Sequence, residues 1–364
     1  MRDFSNADRL VIKIGTNLLT KEGSFNIDYV RSVSRQIAVL REKGHQVLLV
    51  SSGAIGMGAG ELNLKNRVKD IKMRQACAAI GQPLLMHQYK ESFGVHGYSI
   101  AQVLVTREVF SNRTTFLNLR NSVETLLSLG IIPVFNENDS VATDEIGSAF
   151  GDNDRLSAMI ASKVDADLLV ILTDIDGLYN VDPRKDSNAF LISEVEDLTE
   201  EIIAYAGSEG SEFSTGGMKT KLQAVSIAAN AGCKTILAHG GKEDILIRLI
   251  SGENEGTLFL GGKKLSARAR WIINSVPLGR INIDQGALKA LQNRKSLLPS
   301  GISSVEGIFD EGEVVSINGI ANTVSNFTSS EIENIIGRHS TEISTLLGKG
   351  KKDVIARAED IIFL

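Results

Sequence analysis

The chain has 364 residues, 43% of them hydrophobic, a formal net charge of -5 and a mean hydropathy near zero, which suits a globular protein of two domains and excludes a disordered one. No apolar run approaches the ~20 residues of a membrane helix, and the acidic balance gives no global field to draw nucleic acid or an anionic membrane. Met1-Arg2-Asp3-Phe4-Ser5-Asn6 lacks the apolar core of a signal peptide, so the cytoplasm is the expected compartment. Cys77 and Cys233 lie far apart in helix-like apolar contexts and read as buried thiols, while the five histidines show no metal-ligand spacing.

Apolar, β-branched runs predict strands at 10–14, 47–50, 100–105, 131–135, 168–172 and 235–238. Between them lie helical patterns. Ile27, Val30, Val33, Ile37 and Leu40 mark one face of a helix that ends at Gly44, Phe116, Leu119, Val123 and Leu126 mark another that ends at Gly130, and 155–161 reads as a helix opened by an Asp/Asn cap. Alternating strands and helices predict an α/β fold with a mainly parallel open sheet sandwiched by helices. After about Leu278 the texture changes to short strands and turns, and Gly312 to Gly319 alternates like a half-buried strand. The expected division is a main domain over 1–262, a linker over 263–278 and a small β-rich domain over 279–364.

Polar residues cluster where strands end. Asn136-Glu137-Asn138-Asp139 and Gly151-Asp152-Asn153-Asp154 crowd carboxylates and amides between two apolar runs, the place where open α/β sheets bind ligands. Neither G-x-G-x-x-G nor G-x-x-x-x-G-K-[ST] is present, so a phosphate site must be built otherwise. Lys13-Ile14-Gly15, Ser51-Ser52-Gly53 and Thr215-Gly216-Gly217-Met218-Lys219-Thr220-Lys221 can each bring backbone N–H groups against an anion. Lys13 inside an apolar strand costs desolvation unless an anion or a carboxylate offsets it, the plain alternative being a strand-end lysine that reaches solvent, and Lys221 gains weight from its position after two glycines. Thr173-Asp174, behind a fully apolar strand, could serve a nucleotide or be an ordinary turn.

These segments, with Gly177-Leu178-Tyr179, follow one another as they do in the amino acid kinase family, which the chain resembles nearly end to end. Within it the likeness is to the branch that phosphorylates the γ-carboxylate of free L-glutamate at the start of proline synthesis. Residues 283–287 and 297–302 are similar to the PUA domain appended to many such kinases. The resemblance implies that Lys13 and Lys221 hold the transferring phosphoryl group and that Asp154 orients them. It implies that Ser52, Asp139 and Asn153 bind glutamate. Lys13, Thr173, Asp174 and the run Thr215, Gly216, Gly217, Met218, Lys219, Thr220, Lys221 would contact ATP. Mg²⁺ would ride on the ATP phosphates without a protein cage. The resemblance further implies a homo-oligomer, feedback by proline and a partnership with glutamyl phosphate reductase. Asn17 stands where relatives often carry serine. Acetylglutamate, carbamate and aspartate kinases are rival readings from the same family. An RNA-binding role through the PUA-like domain is a rival of another class, opposed by the charge of residues 279–364, nine basic against eleven acidic side chains.

Overall fold

Leu10, Val11, Ile12 and Ile14 are all fully buried in β1 (Arg9–Ile14), because the sheet they belong to is covered on both faces. The computed structural model describes the chain except residues 1, 5, 22–23, 65, 67, 107–108, 111–112, 142–152, 207–216, 340–341 and 349–352. The strands that follow are β2 (Thr20–Lys21), β3 (Ser24–Phe25), β4 (Gln46–Val50), β5 (Ile100–Val105), β6 (Ile132–Glu137), β7 (Leu168–Thr173), β8 (Glu194–Val195), β9 (Lys234–His239) and β10 (Thr257–Phe259). β2 and β3 form a small antiparallel pair. The others make one sheet in the order β5-β6-β4-β1-β7-β9-β10-β8, parallel from β5 to β9. β10 runs antiparallel to β9 and parallel to β8.

The expected strands are all present, and β6 runs further than its apolar run. Asn136 and Glu137 belong to the strand, with Asn136 buried. One face of the sheet packs on the helices Arg113–Ser128, Asn153–Lys163 and Met218–Ala229 through Val123, Leu156, Met159 and Val225. The other packs on Ile27–Glu42, Ile71–Gly94 and Ile245–Ile250 through Val33, Ile37, Leu85, Phe93 and Leu246. β1 lies at the centre. The chain builds β4, β5 and β6 on one side of it, then crosses by the Asn153–Lys163 helix to β7 on the other. The carboxyl ends of β4, β1 and β7 at that reversal are the usual ligand position in such sheets.

The helices Ala54–Glu61 and Ile71–Gly94 cross backbone to backbone. A Cβ on Gly81 would lie 1.9 Å from the Ala54 carbonyl oxygen, and one on Gly58 would lie 1.9 Å from that of Cys77. No side-chain rotation relieves a clash with backbone, so both positions require glycine.

The chain divides into two compact units, Met1–Lys264 and Leu265–Leu364. The second has a sheet ordered β12-β11-β13-β14-β15 from β11 (Arg280–Ile283), β12 (Ile302–Glu306), β13 (Val314–Ile317), β14 (Ala321–Val324) and β15 (Ile362–Phe363). Residues 263–278, expected as a linker, hold the helix Ala267–Asn274, capped by the Ser266 hydroxyl on the Ala269 N–H. That helix lays Ile272 and Trp271 on Val314 and Val324. The expected half-buried strand is therefore covered twice: Val314 faces this helix, while Val315 and Ile317 face the main core of the unit with Phe309, Phe327 and Ile332.

The position of the helix makes truncation informative. A chain ending at Lys264 keeps its own core and is expected to unfold cooperatively and run as a single species. One ending at Leu278 carries Ile272 and Trp271 without the sheet that covers them, and is expected to bind a hydrophobic dye and self-associate. Dye binding and size-exclusion profiles check this; equal behaviour of the two chains would contradict it.

Candidate active site

Three segments distant in sequence meet at the end of β1. Lys13, only 4% exposed, places its Nζ 2.5 Å from Asp154 Oδ1, and Lys221, 6% exposed, places its Nζ 3.0 Å from Asp154 Oδ2. Asp154 is fully buried in the first turn of the Asn153–Lys163 helix. A lysine in an apolar strand thus meets the carboxylate its desolvation calls for. One anion between two cations leaves the trio with a net positive charge. Gly15 continues β1 with an N–H to Leu172 carbonyl bond of 2.9 Å, which holds the strand end against β7.

On the β4 side, Ser51 and Ser52 follow the strand and Gly53 opens the next helix at φ +99°, where a Cβ would also press on Leu19. Ser51 Oγ lies 2.8 Å from the buried Tyr89 hydroxyl. The two hydrogens of Asn153 Nδ2 are shared among three acceptors, the Ser51 carbonyl at 2.7 Å, Ser52 Oγ at 2.9 Å and Asn136 Oδ1 at 3.0 Å. Asn136 in turn donates to Gln82 Oε1 at 2.9 Å. Asp139 lies just beyond β6; burial pushes its carboxyl above the ordinary range, against the pull of the Arg74 charge.

On the β7 side, Thr173 is buried at the strand end and Asp174 follows it into solvent. Burial raises the Asp174 carboxyl, but hydrogen bonds from Asn17 (2.7 Å), the backbone and Thr173 (3.1 Å), with the charge of Lys221, outweigh this and hold it below the usual carboxylate range. Gly217 caps the Met218–Ala229 helix, whose first internal bond runs from the Thr220 N–H to the Gly217 carbonyl at 3.2 Å. The N–H groups of Met218 and Lys219 therefore precede the bonded part of the helix, where an anion is favoured. The Lys219 side chain is exposed. Thr215 and Gly216, like Gly151 and Asp152, lie outside the described residues.

Sequence reasoning left Gln82, Asn136 and Asn17 without roles. Gln82 was signalled by a lone polar side chain beside Pro83 in an apolar helical stretch, and Asn136 by its place in a quoted cluster. A further group escaped it. Lys242, after Gly240 and Gly241 at the end of β9, binds Asp176 at 2.7 Å and Glu255 at 2.8 Å, holding Asp176 ionised, and its glycine–lysine setting echoes that of Lys221. Both cysteines are buried, and burial pushes the Cys233 thiol far up.

Residues 8–239 match the Amino acid kinase family and residues 279–347 match the PUA domain. The chain is 42% identical to a glutamate 5-kinase of Methanosarcina mazei over 98% of its own length and 96% of that protein's. It is 44% identical to glutamate 5-kinases of Thermoanaerobacter pseudethanolicus (98% of both chains) and Pelobacter propionicus (99% of both). Among solved structures, a Giardia lamblia carbamate kinase bound to AMP-PNP superposes with a TM-score of 0.51 at 16% identity over 71% of this chain and 99% of that one. A Bacillus anthracis UMP kinase gives 0.50 at 15% over 71% and 98%. The two structures share the fold, whereas the sequence relatives share nearly the whole chain including its second unit. On that match, the chain belongs to the amino acid kinase family, in its glutamate 5-kinase branch, with a PUA domain behind the kinase fold.

Proposed function

We propose that the protein transfers the γ-phosphoryl group of ATP to the γ-carboxylate of L-glutamate, releasing ADP and L-glutamyl 5-phosphate. The observation that carries this reading is the Asp154 carboxylate held between Lys13 and Lys221, in a chain aligned over nearly its full length with glutamate 5-kinases. A glutamate side chain, with an ordinary pKa of about 4.3, is already an anion at neutral pH, so its oxygen needs no general base to attack. That oxygen bonds to the γ-phosphorus as the bridging β–γ bond breaks, and the electron pair leaves with ADP. The protein's task is to bring two anions together. Lys13 and Lys221 offset the charge on the transferring group, and Asp154 keeps both ammonium groups aimed at it.

Ser52, Asn153 and Asp139 are the proposed glutamate contacts. Thr173, Asp174 and the segment from Thr215 through Lys221 are the proposed ATP contacts, with helix N–H groups suited to phosphate. Mg²⁺ keeps its waters and binds largely through nucleotide phosphates, and the Asp174 carboxylate, held below the usual carboxylate range, is an oxygen donor that fits it. Bound there, Mg²⁺ would supply further charge neutralisation, with Asp174 as the ionised carboxylate at hand. Feedback by proline, a homo-oligomer, a reductase that consumes the labile acyl phosphate and a cytoplasmic location belong to the same reading through the family. Among the described residues no helix is long and apolar enough to cross a membrane.

Hydroxylamine traps acyl phosphates. With ATP, Mg²⁺ and glutamate the protein is expected to yield γ-glutamyl hydroxamate. Turnover of acetylglutamate, aspartate or carbamate in its place would overturn the substrate assignment. Lys13→Ala and Lys221→Ala are each expected to lower kcat by roughly 10² to 10³ with a much smaller change in glutamate KM, the usual cost of removing one electrostatic stabiliser. Asp154→Asn keeps the shape and removes the shared anion. Its kcat loss, combined with that of either lysine variant, is expected to be less than additive, because the three act as one unit. Steady-state kinetics of the folded single and double variants decide the point, and fully additive losses would refute the coupling.

A further inference from the structure

Resting on the glutamate reading, we propose that Gln82 is a positioning residue which, through Asn136, holds the Asn153 amide with its oxygen offered to the α-ammonium group of the substrate. Gln82 is 7% exposed and Asn136 2%. Amides so deeply buried are oriented by their partners, since a reversed amide would set donor against donor.

The orientations form a chain. The Glu137 N–H donates to Asn136 Oδ1 at 2.9 Å, fixing which end of that amide is oxygen. Asn136 Nδ2 must then find an acceptor, and finds Gln82 Oε1 at 2.9 Å. The Asn136 donor thereby sets the Gln82 oxygen toward it and leaves Gln82 Nε2 facing Gln102 Oε1 at 3.4 Å. With Asn136 Oδ1 as an acceptor, Asn153 can only present its nitrogen there, and the same nitrogen serves the Ser51 carbonyl and Ser52 Oγ. The Asn153 donors are thereby spent on the protein. What the side chain has left for a ligand is Oδ1, an acceptor, which suits an ammonium group and not a carboxylate. Asp139, the other proposed substrate contact on this side, offers the same polarity. The close crossing at Gly58 and Gly81 explains how Gln82 reaches the network: the residue beside Gly81 is carried to the substrate end of β6.

Glutarate, which is glutamate without the ammonium group, separates positioning from general structural support. Gln82→Met fills a similar shape and removes the acceptor; Gln82→Glu retains it. The Met variant is expected to lower kcat/KM for glutamate about tenfold, chiefly through KM, or ~1.4 kcal/mol. It is expected to leave glutarate turnover and ATP KM within about twofold. Gln82→Glu is expected to stay within about threefold of the unsubstituted protein on glutamate. An equal loss on glutamate and glutarate, or a Glu variant as poor as the Met variant, overturns the proposal. Should the Met variant fail to fold, the Glu variant alone decides, a tenfold loss on glutamate counting against the proposal. If the unsubstituted protein does not use glutamate at all, the functional reading itself fails, which is visible before any variant is made.

Discussion

The fold is committed to one fully buried carboxylate. Asp154 takes its two partners from β1 and from the first turn of the Met218–Ala229 helix, so three stretches of chain more than sixty residues apart must converge within hydrogen-bond reach. Isolated in this interior the charge would cost several kcal/mol, and even paired it yields little net stability over an apolar replacement. An arrangement that is expensive to assemble and adds little stability is best understood through what it presents: two ammonium groups held at fixed positions by one carboxylate at the end of β1. Stability is drawn from elsewhere, from the two apolar layers that cover β1 on either face.

Holding that cluster in place demands close approach of backbone nearby. The Ala54–Glu61 and Ile71–Gly94 helices touch through glycines, which draws the Ser51-Ser52-Gly53 turn, the Tyr89 hydroxyl and the Gln82 amide into one neighbourhood. A longer separation would still permit a helical layer, but the serine and amide contacts with Asn153 would not close. Packing here serves orientation, and the residues that carry it are the ones without side chains.

Much of the site was legible because its chemistry conflicts with its surroundings. Lys13 in an apolar strand, and carboxylates crowded after β6, violate the local pattern and so announce a purpose. The central strands were legible for the opposite reason: parallel strands buried on both faces read as unbroken apolar runs. β8 and β10, two and three residues long, carry no periodicity and follow from pairing alone. The Ala267–Asn274 helix was hidden by its short length and by a charged first turn that resembles a linker. Its presence is why β13 is buried on both sides instead of alternating. Asn136 falls outside the apolar run that marks the strand, and asparagine disfavours strands; its amide is held by Gln82 and Asn153 from two helices, which no local pattern can reveal. Gln82 and Asn17 were illegible as contacts for the same reason, since their partners lie 54 and 157 residues away.

The sheet order divides the proposed chemistry in two. β4 and β6, on one side of β1, carry Ser52, Asn136 and Asp139, while β7, on the other, carries Thr173 and Asp174. The proposed acceptor contacts and the proposed nucleotide contacts thus fall on opposite flanks, with Lys13 on the strand between them and Asp154 on the helix that crosses from one flank to the other. Such a plan lets one flank change while the central charges stay. A carbamate kinase and a UMP kinase share this fold at 15–16% identity. For this chain the most informative groups on that flank are amides and not charges, because an amide can be reversed by its neighbours, and its polarity is then set by residues that never meet the substrate.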